Sequence, residues 1–348
     1  MRREEGRRRT DGQEGIVAAR PPSITDVEGI LVGHATDVAA WTGCTAVLGP
    51  PEGLRAAAYI RGRATGTREL DALSPSHLVP QIHAILLTGG SAFGLGAADG
   101  VMRWLAERGR GFSVGVGVVP IVPTAVVFDL APLGHADRWP TAAEAYAACD
   151  AAGREVAEGS VGAGTGTTVG KVLGAAGAMK GGLGTCSVRQ GDLVVGALAV
   201  VNAFGDVRDA KGEILAGARG PKGFADARRY LAQGHGPGGS FARPGTNTTL
   251  VVVGTNADLP RGALAELARM AADALGQRIT PVGTQFDGDI VFAISTAVVK
   301  VDSSLPAEIL AQDATAMAIE RAVRLATGTL EIPGLADAGE QGAGSRER

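Results

Sequence analysis

Two adjacent threonines stand where a turn runs into an apolar strand, in the stretch "PGTNTTLVVV" at residues 244–253. A threonine hydroxyl is a weak nucleophile at neutral pH and needs a base beside it. A cut between Asn247 and Thr248 would supply that base, because a free α-amino group has a pKa of about 8 and reaches the hydroxyl of its own residue. The stretch by itself is compatible with two interpretations, a polar turn before a strand and a nucleophile created by self-cleavage.

Self-cleavage also requires a donor for the tetrahedral oxyanion and acidic groups that hold the new amine. Asn202, at the end of an apolar run, is a candidate donor, and Lys171 can add positive charge. Asp287 and Asp289 are two residues apart in a strand-like segment, so their side chains point the same way and can orient the amine. The first step is then attack by the Thr248 hydroxyl on the preceding carbonyl, which gives an ester that water resolves.

Other patterns that carry chemistry fail on spacing. In "TGGSAFGLG" at 88–96, Phe93 stands where a G-x-S-x-G elbow needs glycine. In "GAGTGTTVGK" at 162–171, the glycine spacing is wrong for a phosphate loop, and Val172 replaces the Ser/Thr that binds magnesium. The histidines are scattered, and "DGD" at 287–289 lacks the further ligands of a calcium loop. The sequence therefore predicts no nucleotide, metal or other cofactor.

Charge and hydropathy exclude several classes of partner. A net charge of −3 with interspersed signs is typical of neither a nucleic-acid-binding nor an anionic-membrane-binding protein. No apolar run approaches the roughly 18 residues of a membrane span, and the arginine-rich start lacks the apolar segment of a signal peptide. The three cysteines are widely spaced and fit reduced thiols. We expect a soluble, cytoplasmic protein.

Short apolar runs and helical periodicity predict a mixed fold. The runs predict strands at 29–33, 44–48, 84–88, 193–202, 250–255 and 290–296. Periodicity predicts helices at 92–108, 141–152, 260–276 and 305–327. Because strands and helices do not alternate strictly, a layered sandwich is favoured over a doubly wound sheet.

Local signals refine the helix starts and the domain limits. Thr141 and Glu144 match a capping box, and Ser304 is the predicted N-cap of the last helix. In that helix the residues predicted to face a sheet are Ile309, Ala316, Ile319 and Val323. No linker or internal repeat divides the chain, so we expect one domain at 21–335 between disordered tails at 1–20 and 336–348.

Taken in order, several stretches resemble the L-aminopeptidase/D-esterase family of self-cleaving hydrolases. This family also includes β-aminopeptidases and the nylon-oligomer (6-aminohexanoate oligomer) endohydrolases. The resemblance covers about residues 22 to 330. It is carried by "ITDVEGILVGHATD" at 24–37, "GCTAVL" at 43–48, "ATGTREL" at 64–70, "ILLTGGSAFGLGAADGVMRWL" at 85–105, "GAGTGTTVGK" at 162–171, "MKGGLGT" at 179–185, "NTT" at 247–249 and "FDGDIVFA" at 286–293.

The resemblance implies an α+β fold, a four-layer αββα sandwich like that of N-terminal-nucleophile hydrolases but with different connectivity. It implies a cut between Asn247 and Thr248, which gives an α subunit of residues 1–247 and a β subunit of residues 248–348. Its implied catalytic residues are Thr248, Lys171, Asn202, Asp287 and Asp289. It also implies short peptide or amide substrates and a homo-oligomer, commonly a tetramer of αβ units.

Four positions bear on the substrate. The aspartate pair at 287 and 289 stands where the aminopeptidase branch typically has Ser and Glu, so the site is similar to the nylon-hydrolase branch. Phe128 replaces an assisting tyrosine, and Gly283 stands where relatives often have histidine. We expect these departures to alter substrate choice. Two alternatives stay open, an acyltransferase that uses the same acyl-threonine intermediate and a non-catalytic binding or scaffold protein that keeps the fold.

Overall fold

Two five-stranded β-sheets stack at the centre of the computed structural model, which describes residues 20–238 and 245–337. In chain order their strands are β1 (Leu31–Asp37), β2 (Thr42–Leu48), β3 (Arg55–Ile60), β4 (Thr67–Arg68), β5 (Ala84–Thr88), β6 (Thr124–Val126), β7 (Gly182–Gln190), β8 (Leu193–Asn202), β9 (Thr248–Ala257) and β10 (Ile290–Val299). The strand order is β1-β2-β5-β6-β4 in the first sheet and β7-β8-β9-β10-β3 in the second. The predicted tails lie outside the described residues, apart from residues 20, 336 and 337.

Four of the helices cover the outer faces of the sheets. The described residues form α1 (Ala98–Glu107), α2 (Ala142–Asp150), α3 (Ala227–Ala232), α4 (Arg261–Arg278) and α5 (Leu305–Arg324). Helices α1 and α2 share a core with the first sheet, and α4 and α5 share one with the second sheet. None of the helices in the described part of the chain combines the length and the apolar character needed to cross a membrane.

Strand β8 shows how the layers are built, because successive residues of a strand point to opposite faces. One set of its side chains packs on α4 and α5, namely Val195, Ala197, Ala199 and Val201. The alternate set packs between the two sheets, namely Val194, Leu198 and Val200. The layer order is therefore α1/α2, first sheet, second sheet, α4/α5, and the predicted αββα sandwich is confirmed.

Helix α5 lies closer to the second sheet than its large apolar residues suggested. A Cβ atom added to Gly184 of β7 would stand only 2.2 Å from the carbonyl oxygen of Ala318, so the helix backbone rests on the glycine. Ile309 is nine residues from Ala318, which puts it on the opposite side of the helix. It is 48% exposed, and its predicted packing on the sheet is wrong. The other three predicted residues, Ala316, Ile319 and Val323, are buried.

The two predicted helix starts have different outcomes. At α2, Thr141 and Glu144 make both hydrogen bonds of the capping box. Ser304 does precede α5, but its side chain makes no capping hydrogen bond. Its backbone is already helical, with φ −75° and ψ −21°, whereas a capping hydroxyl needs the extended conformation. Ser304 is therefore the N-cap residue by position, as predicted, but without a side-chain capping hydrogen bond.

Candidate active site

The strand register of the second sheet brings the predicted site residues to one end of β9. Thr248 is the first residue of β9 and pairs with Asn202, the last residue of the antiparallel β8. On the other side, Asn247 forms an isolated parallel bridge with Asp287, just before β10. The chain next to the predicted cut therefore lies between two segments that carry polar side chains.

The carbonyl oxygen of Asn247 accepts two hydrogen bonds. One comes from the Thr248 hydroxyl, with Oγ1 2.6 Å from that oxygen. The other comes from the backbone N–H of Gly288, at 2.8 Å. Donors directed at a carbonyl oxygen polarise it and stabilise the negative charge that develops on attack. The intact peptide bond before Thr248 is thus held next to a hydroxyl nucleophile and activated by a backbone donor.

Gly288 is a residue of the candidate site that was not predicted from the sequence. A Cβ atom at this position would lie 2.8 Å from the Thr248 hydroxyl oxygen and 2.4 Å from the carbonyl oxygen of Ala64. Only glycine therefore fits between the nucleophile and the neighbouring chain. The signal in the sequence is the glycine between two aspartates, which we interpreted only through the aspartates.

Lys171 and Asn202 are bound to each other inside the protein. The Lys171 ammonium donates to the side-chain oxygen of Asn202 at 2.7 Å and to the Thr246 carbonyl at 3.5 Å. The same Asn202 oxygen accepts the Thr168 N–H at 3.1 Å, and its amide nitrogen donates to the Phe128 carbonyl at 2.9 Å. In the uncut chain the Asn202 amide thus faces Phe128, and its role as oxyanion donor stays a prediction.

Burial determines the charge state of Lys171. The side chain is 1% exposed, and burial lowers its pKa to about 7, against an opposing effect of the negative Asp287. A lysine with a pKa near neutrality exchanges its proton at the pH at which enzymes work. Lys171 can therefore donate a hydrogen bond as an ammonium or release the proton without a large change in free energy.

The two aspartates lie next to the Asn247–Thr249 segment, and their role in orienting the amine stays a prediction. Asp289 accepts the N–H of Thr249 at 2.7 Å, and Asp287 accepts the N–H and hydroxyl of Thr284 at 2.9 and 2.7 Å. Burial raises the pKa of both carboxyl groups, and the charge of Asp287 contributes to a pKa of about 8 for Asp289. Asp289 therefore carries a proton over most of the neutral range.

A backbone clamp fixes the aspartate segment. The N–H groups of Arg61 and Gly62 donate to the Asp289 carbonyl, and those of Arg63 and Ala64 donate to the Asp287 carbonyl. A Cβ atom at Gly62 would lie 2.2 Å from the Asp289 nitrogen. The close approach of these two chains thus requires glycine, and it positions Asp287 and Asp289 from the backbone.

The two positions that depart from the family pattern are also part of this region. Phe128 contributes its carbonyl oxygen, which holds Asn202 whatever the side chain at 128 is. Gly283 adopts the left-handed conformation with φ +64°, and a Cβ atom there would lie 3.6 Å from the Arg61 side chain. The left-handed backbone favours the glycine that is present at 283.

The sequence matches a known family over nearly its whole length. The sequence profile of peptidase family S58 matches residues 22–330. An uncharacterized aminopeptidase of Mycobacterium tuberculosis is 46% identical over 306 residues, which cover 82% of this chain and 85% of the relative. A 6-aminohexanoate-oligomer endohydrolase of Kocuria sp. is 30% identical over 276 residues, which cover 78% of this chain and 74% of the relative.

A solved structure confirms the fold class. The L-aminopeptidase D-Ala-esterase/amidase of Ochrobactrum anthropi, described as a prototype for the serine aminopeptidases and a new variant of the Ntn hydrolase fold, superposes with a TM-score of 0.68. The superposition covers 95% of this chain and 97% of that structure, at 22% sequence identity. The two proteins therefore share an α+β architecture despite the low identity.

Proposed function

The chain belongs to peptidase family S58 and is a hydrolase of amide bonds, and on this premise we propose that it cuts itself between Asn247 and Thr248 and then uses Thr248 as its nucleophile. The observation that carries the proposal is the carbonyl oxygen of Asn247, which accepts hydrogen bonds from both the Thr248 hydroxyl and the Gly288 N–H. A turn that merely leads into a strand has no need for this arrangement.

Self-cleavage begins when Oγ1 of Thr248 bonds to the carbonyl carbon of Asn247. The hydroxyl proton passes to the peptide nitrogen, the C–N bond breaks, and Asn247 is left as an ester on Oγ1. The Gly288 N–H stabilises the intermediate oxyanion, since it already points at that oxygen. Breaking the C–N bond frees the α-amine of Thr248, and water then hydrolyses the ester, which frees the hydroxyl and leaves Asn247 as a carboxyl terminus.

The mature enzyme repeats this chemistry on a substrate amide. The α-amine of Thr248 takes the proton of its own hydroxyl, which attacks the substrate carbonyl to form an acyl-threonine ester. Lys171 and Asn202 stabilise the negative charge on the substrate oxygen, and Asp287 and Asp289 hold the α-amine in place. The proton passes to the leaving amine, and water releases the acyl group.

The substrates we propose are short peptides or ω-amino-acid oligomers with a free amino end. The overall identity is higher to the mycobacterial aminopeptidase, at 46%, than to the 6-aminohexanoate-oligomer endohydrolase, at 30%. The aspartate pair at 287 and 289 instead resembles the nylon-hydrolase branch. A panel of α-peptide, β-peptide and 6-aminohexanoate amides, assayed on the cut protein, separates the two substrate classes by kcat/KM.

The decisive experiment measures the masses of the purified wild-type protein and two variants. We expect wild type and Thr248→Ser to give two fragments that break between Asn247 and Thr248, because serine keeps the hydroxyl. Thr248→Ala should remain one chain and hydrolyse no amide. An uncut wild-type chain that still hydrolyses amides would overturn the mechanism.

We further propose that αβ units assemble into a homo-oligomer. The support is an exposed apolar hairpin at residues 111–120, whose side chains include Phe112, Val114, Val116 and Val119. Val116 is 98% exposed, and contact between an apolar valine side chain and water is unfavourable in free energy. Light scattering on the cut protein tests this, and Val116→Asp should lower the measured mass if the hairpin lies in the interface.

A further inference from the structure

Lys180 is a second fully buried lysine, and the chemistry above does not use it. Its side chain is 0% exposed, and its ammonium donates to the carbonyls of Gly164, Thr167 and Gly181 at 3.0, 2.9 and 3.3 Å. A buried ammonium is costly unless hydrogen bonds and an opposite charge compensate it. The residue therefore has a role beyond filling space.

Asp129 supplies the opposite charge, and the structure binds it on both oxygens. It is 1% exposed and accepts the Gly90 N–H at 2.6 Å and the Thr42 hydroxyl at 2.7 Å. Burial lowers the pKa of Lys180 to about 7, and the Asp129 charge acts against this. The charges of Lys180 and Asp129 therefore stabilise each other, and we call these two residues the second buried pair. Neither belongs to the site around Thr248.

The second buried pair is next to both groups that fix the Asn202 amide. Lys180 binds the Thr167 carbonyl, and the next residue, Thr168, donates its N–H to the Asn202 side-chain oxygen at 3.1 Å. Asp129 directly follows Phe128, whose carbonyl accepts the Asn202 amide nitrogen at 2.9 Å. Lys180 thus fixes the backbone one residue before the donor to the Asn202 oxygen, and Asp129 lies one residue after the acceptor of the Asn202 nitrogen.

We propose that Lys180 and Asp129 are positioning residues that hold the Asn202 amide in the orientation that receives Lys171. The inference rests on the proposed function, because Asn202 and Lys171 act there as charge-stabilising groups. Neither Lys180 nor Asp129 touches the peptide bond that is cut. Their effect passes through the backbone at Thr168 and Phe128.

The pair also acts on Lys171 through its charge. Among the charged groups around Lys171, Asp287 raises its pKa and Lys180 lowers it. The charge of Asp129, on the chain after β6, raises the pKa of Lys180, and the charge of Asp287 raises the pKa of Asp289, on the chain before β10. Removing the positive charge of Lys180 therefore favours the protonated form of Lys171, so activity that needs the ammonium persists to higher pH.

The test uses Lys180→Met and the isosteric Asp129→Asn, each followed from translation onward by electrophoresis for the fraction cut. We expect self-cleavage to slow at least about tenfold, which corresponds to about 1.4 kcal/mol in the barrier, because Lys171, which is bound to Asn202, also binds the Thr246 carbonyl next to the bond that is cut. Once each variant is fully cut, kcat should fall while KM changes little. In Lys180→Met the alkaline limb of the kcat profile should move up by at least about 0.5 pH unit, because this variant loses a positive charge near Lys171.

Asp206→Asn is the matched control. Asp206 is 0% exposed and accepts the N–H groups of Ala218 and Ala227, so its substitution also changes a buried aspartate that holds two donors. Asp206→Asn should lower the free energy of unfolding but leave the pH dependence of kcat unchanged. If Lys180→Met does not fold, Asp129→Asn carries the comparison, because its shape is that of the native residue.

Two results would overturn the positioning role while leaving the proposed function intact. One is wild-type cutting and an unchanged pH profile in both variants of the pair. The other is a loss of kcat equal to that of Asp206→Asn, again without a pH shift, which would show a structural role only. An uncut wild-type chain, or an active Thr248→Ala variant, would instead refute the proposed function itself.

Discussion

At the scale of single residues, the uncut chain separates two groups of oxyanion donors. The carbonyl that self-cleavage must attack is held by a backbone N–H, that of Gly288, while the Asn202 amide is bound to Phe128 and Lys171. The Gly288 N–H already binds the scissile carbonyl in the uncut chain, so the first cut does not require Asn202 to rearrange. Self-cleavage and substrate hydrolysis can therefore respond differently to the same substitution.

Gly288→Ala is expected to block self-cleavage. The added methyl group would lie 2.4 Å from the Ala64 carbonyl oxygen and 2.8 Å from the Thr248 hydroxyl oxygen, so the segment must move and its N–H must leave the scissile carbonyl. Loss of one oxyanion donor costs a factor of about 100 to 1000 in rate. Electrophoresis after overnight incubation should show the uncut chain.

Gly262→Ala is the control for this substitution, since a Cβ atom there meets nothing within 4 Å in the first turn of α4. It should cut at the wild-type rate. Normal cutting of Gly288→Ala would show that the Gly288 N–H does not contribute to the reaction.

Asp289→Asn should stabilise the precursor, and more so at high pH. Burial and the Asp287 charge raise the pKa of Asp289 to about 8, far above its ordinary value of 3.8. The folded chain therefore keeps a proton that the unfolded chain releases, and stability falls as pH rises from about 4 to about 8. Asparagine does not ionise, so this loss disappears.

Thermal unfolding in the Thr248→Ala background measures the effect on an uncut chain. The Tm of Asp289→Asn should exceed that of its parent by at least about 3 °C at pH 8, the shift expected for about 2 kcal/mol in a protein of this size. The difference should shrink towards pH 5. A difference that is the same at pH 5 and pH 8 would show that Asp289 is ionised throughout.

The sequence predicted the side chains of the site better than its backbone. Thr248, Lys171 and the two aspartates could be named because their chemistry is specific to their side chains, and a family resemblance ordered them along the chain. Gly288 and the Phe128 carbonyl contribute only backbone groups. A backbone N–H or C=O is present at almost every residue, so nothing in the sequence distinguishes the one that points at the reacting bond.

At the scale of elements, close packing between glycine and alanine decides where α5 lies. The strands β5 and β8 have the predicted bounds, 84–88 and 193–202, because continuous apolar runs bounded by turn residues define them. The face of α5 could not be predicted in the same way. Hydrophobic size pointed to Ile309, whereas the glycines of β7 admit the backbone of α5 at Ala318 and Ala322, on the side of the helix away from Ile309.

Gly184→Ala tests this packing. The new methyl group would lie 2.2 Å from the Ala318 carbonyl oxygen, so α5 must move away from the sheet. We expect a loss of about 1–3 kcal/mol in the free energy of unfolding, as for other overpacked cores. Urea denaturation of the variant in the Thr248→Ala background gives this value.

Gly153→Ala is the comparison, because a Cβ atom there meets nothing within 4 Å. It should change the free energy of unfolding by less than about 0.5 kcal/mol. If Gly184→Ala were equally mild, α5 would not be in contact with β7 in solution.

At the scale of the whole molecule, the proposed cut divides the second sheet without exposing its inner strands. The β subunit would supply β9 and β10, and the α subunit would supply β7 and β8 on one side and β3 on the other. Helix α5 of the β subunit also packs on β7 and β8. The two subunits would thus share one sheet and one core, and we expect them to elute together until a denaturant is added.

The rate of refolding should distinguish the cut protein from the uncut protein, although both share the same folded structure. Uncut Thr248→Ala regains its second sheet by an intramolecular reaction, whose rate does not depend on protein concentration. The cut wild-type protein must first bring two chains together, so the half-time of its slow phase should lengthen about tenfold on tenfold dilution. Far-UV circular dichroism after dilution from urea follows both proteins, because β9 pairs with β8 and β10 pairs with β3 only when the subunits meet. Equal concentration dependence in the two proteins would mean that the β subunit folds without the α subunit, contrary to a sheet in which its strands are flanked on both sides.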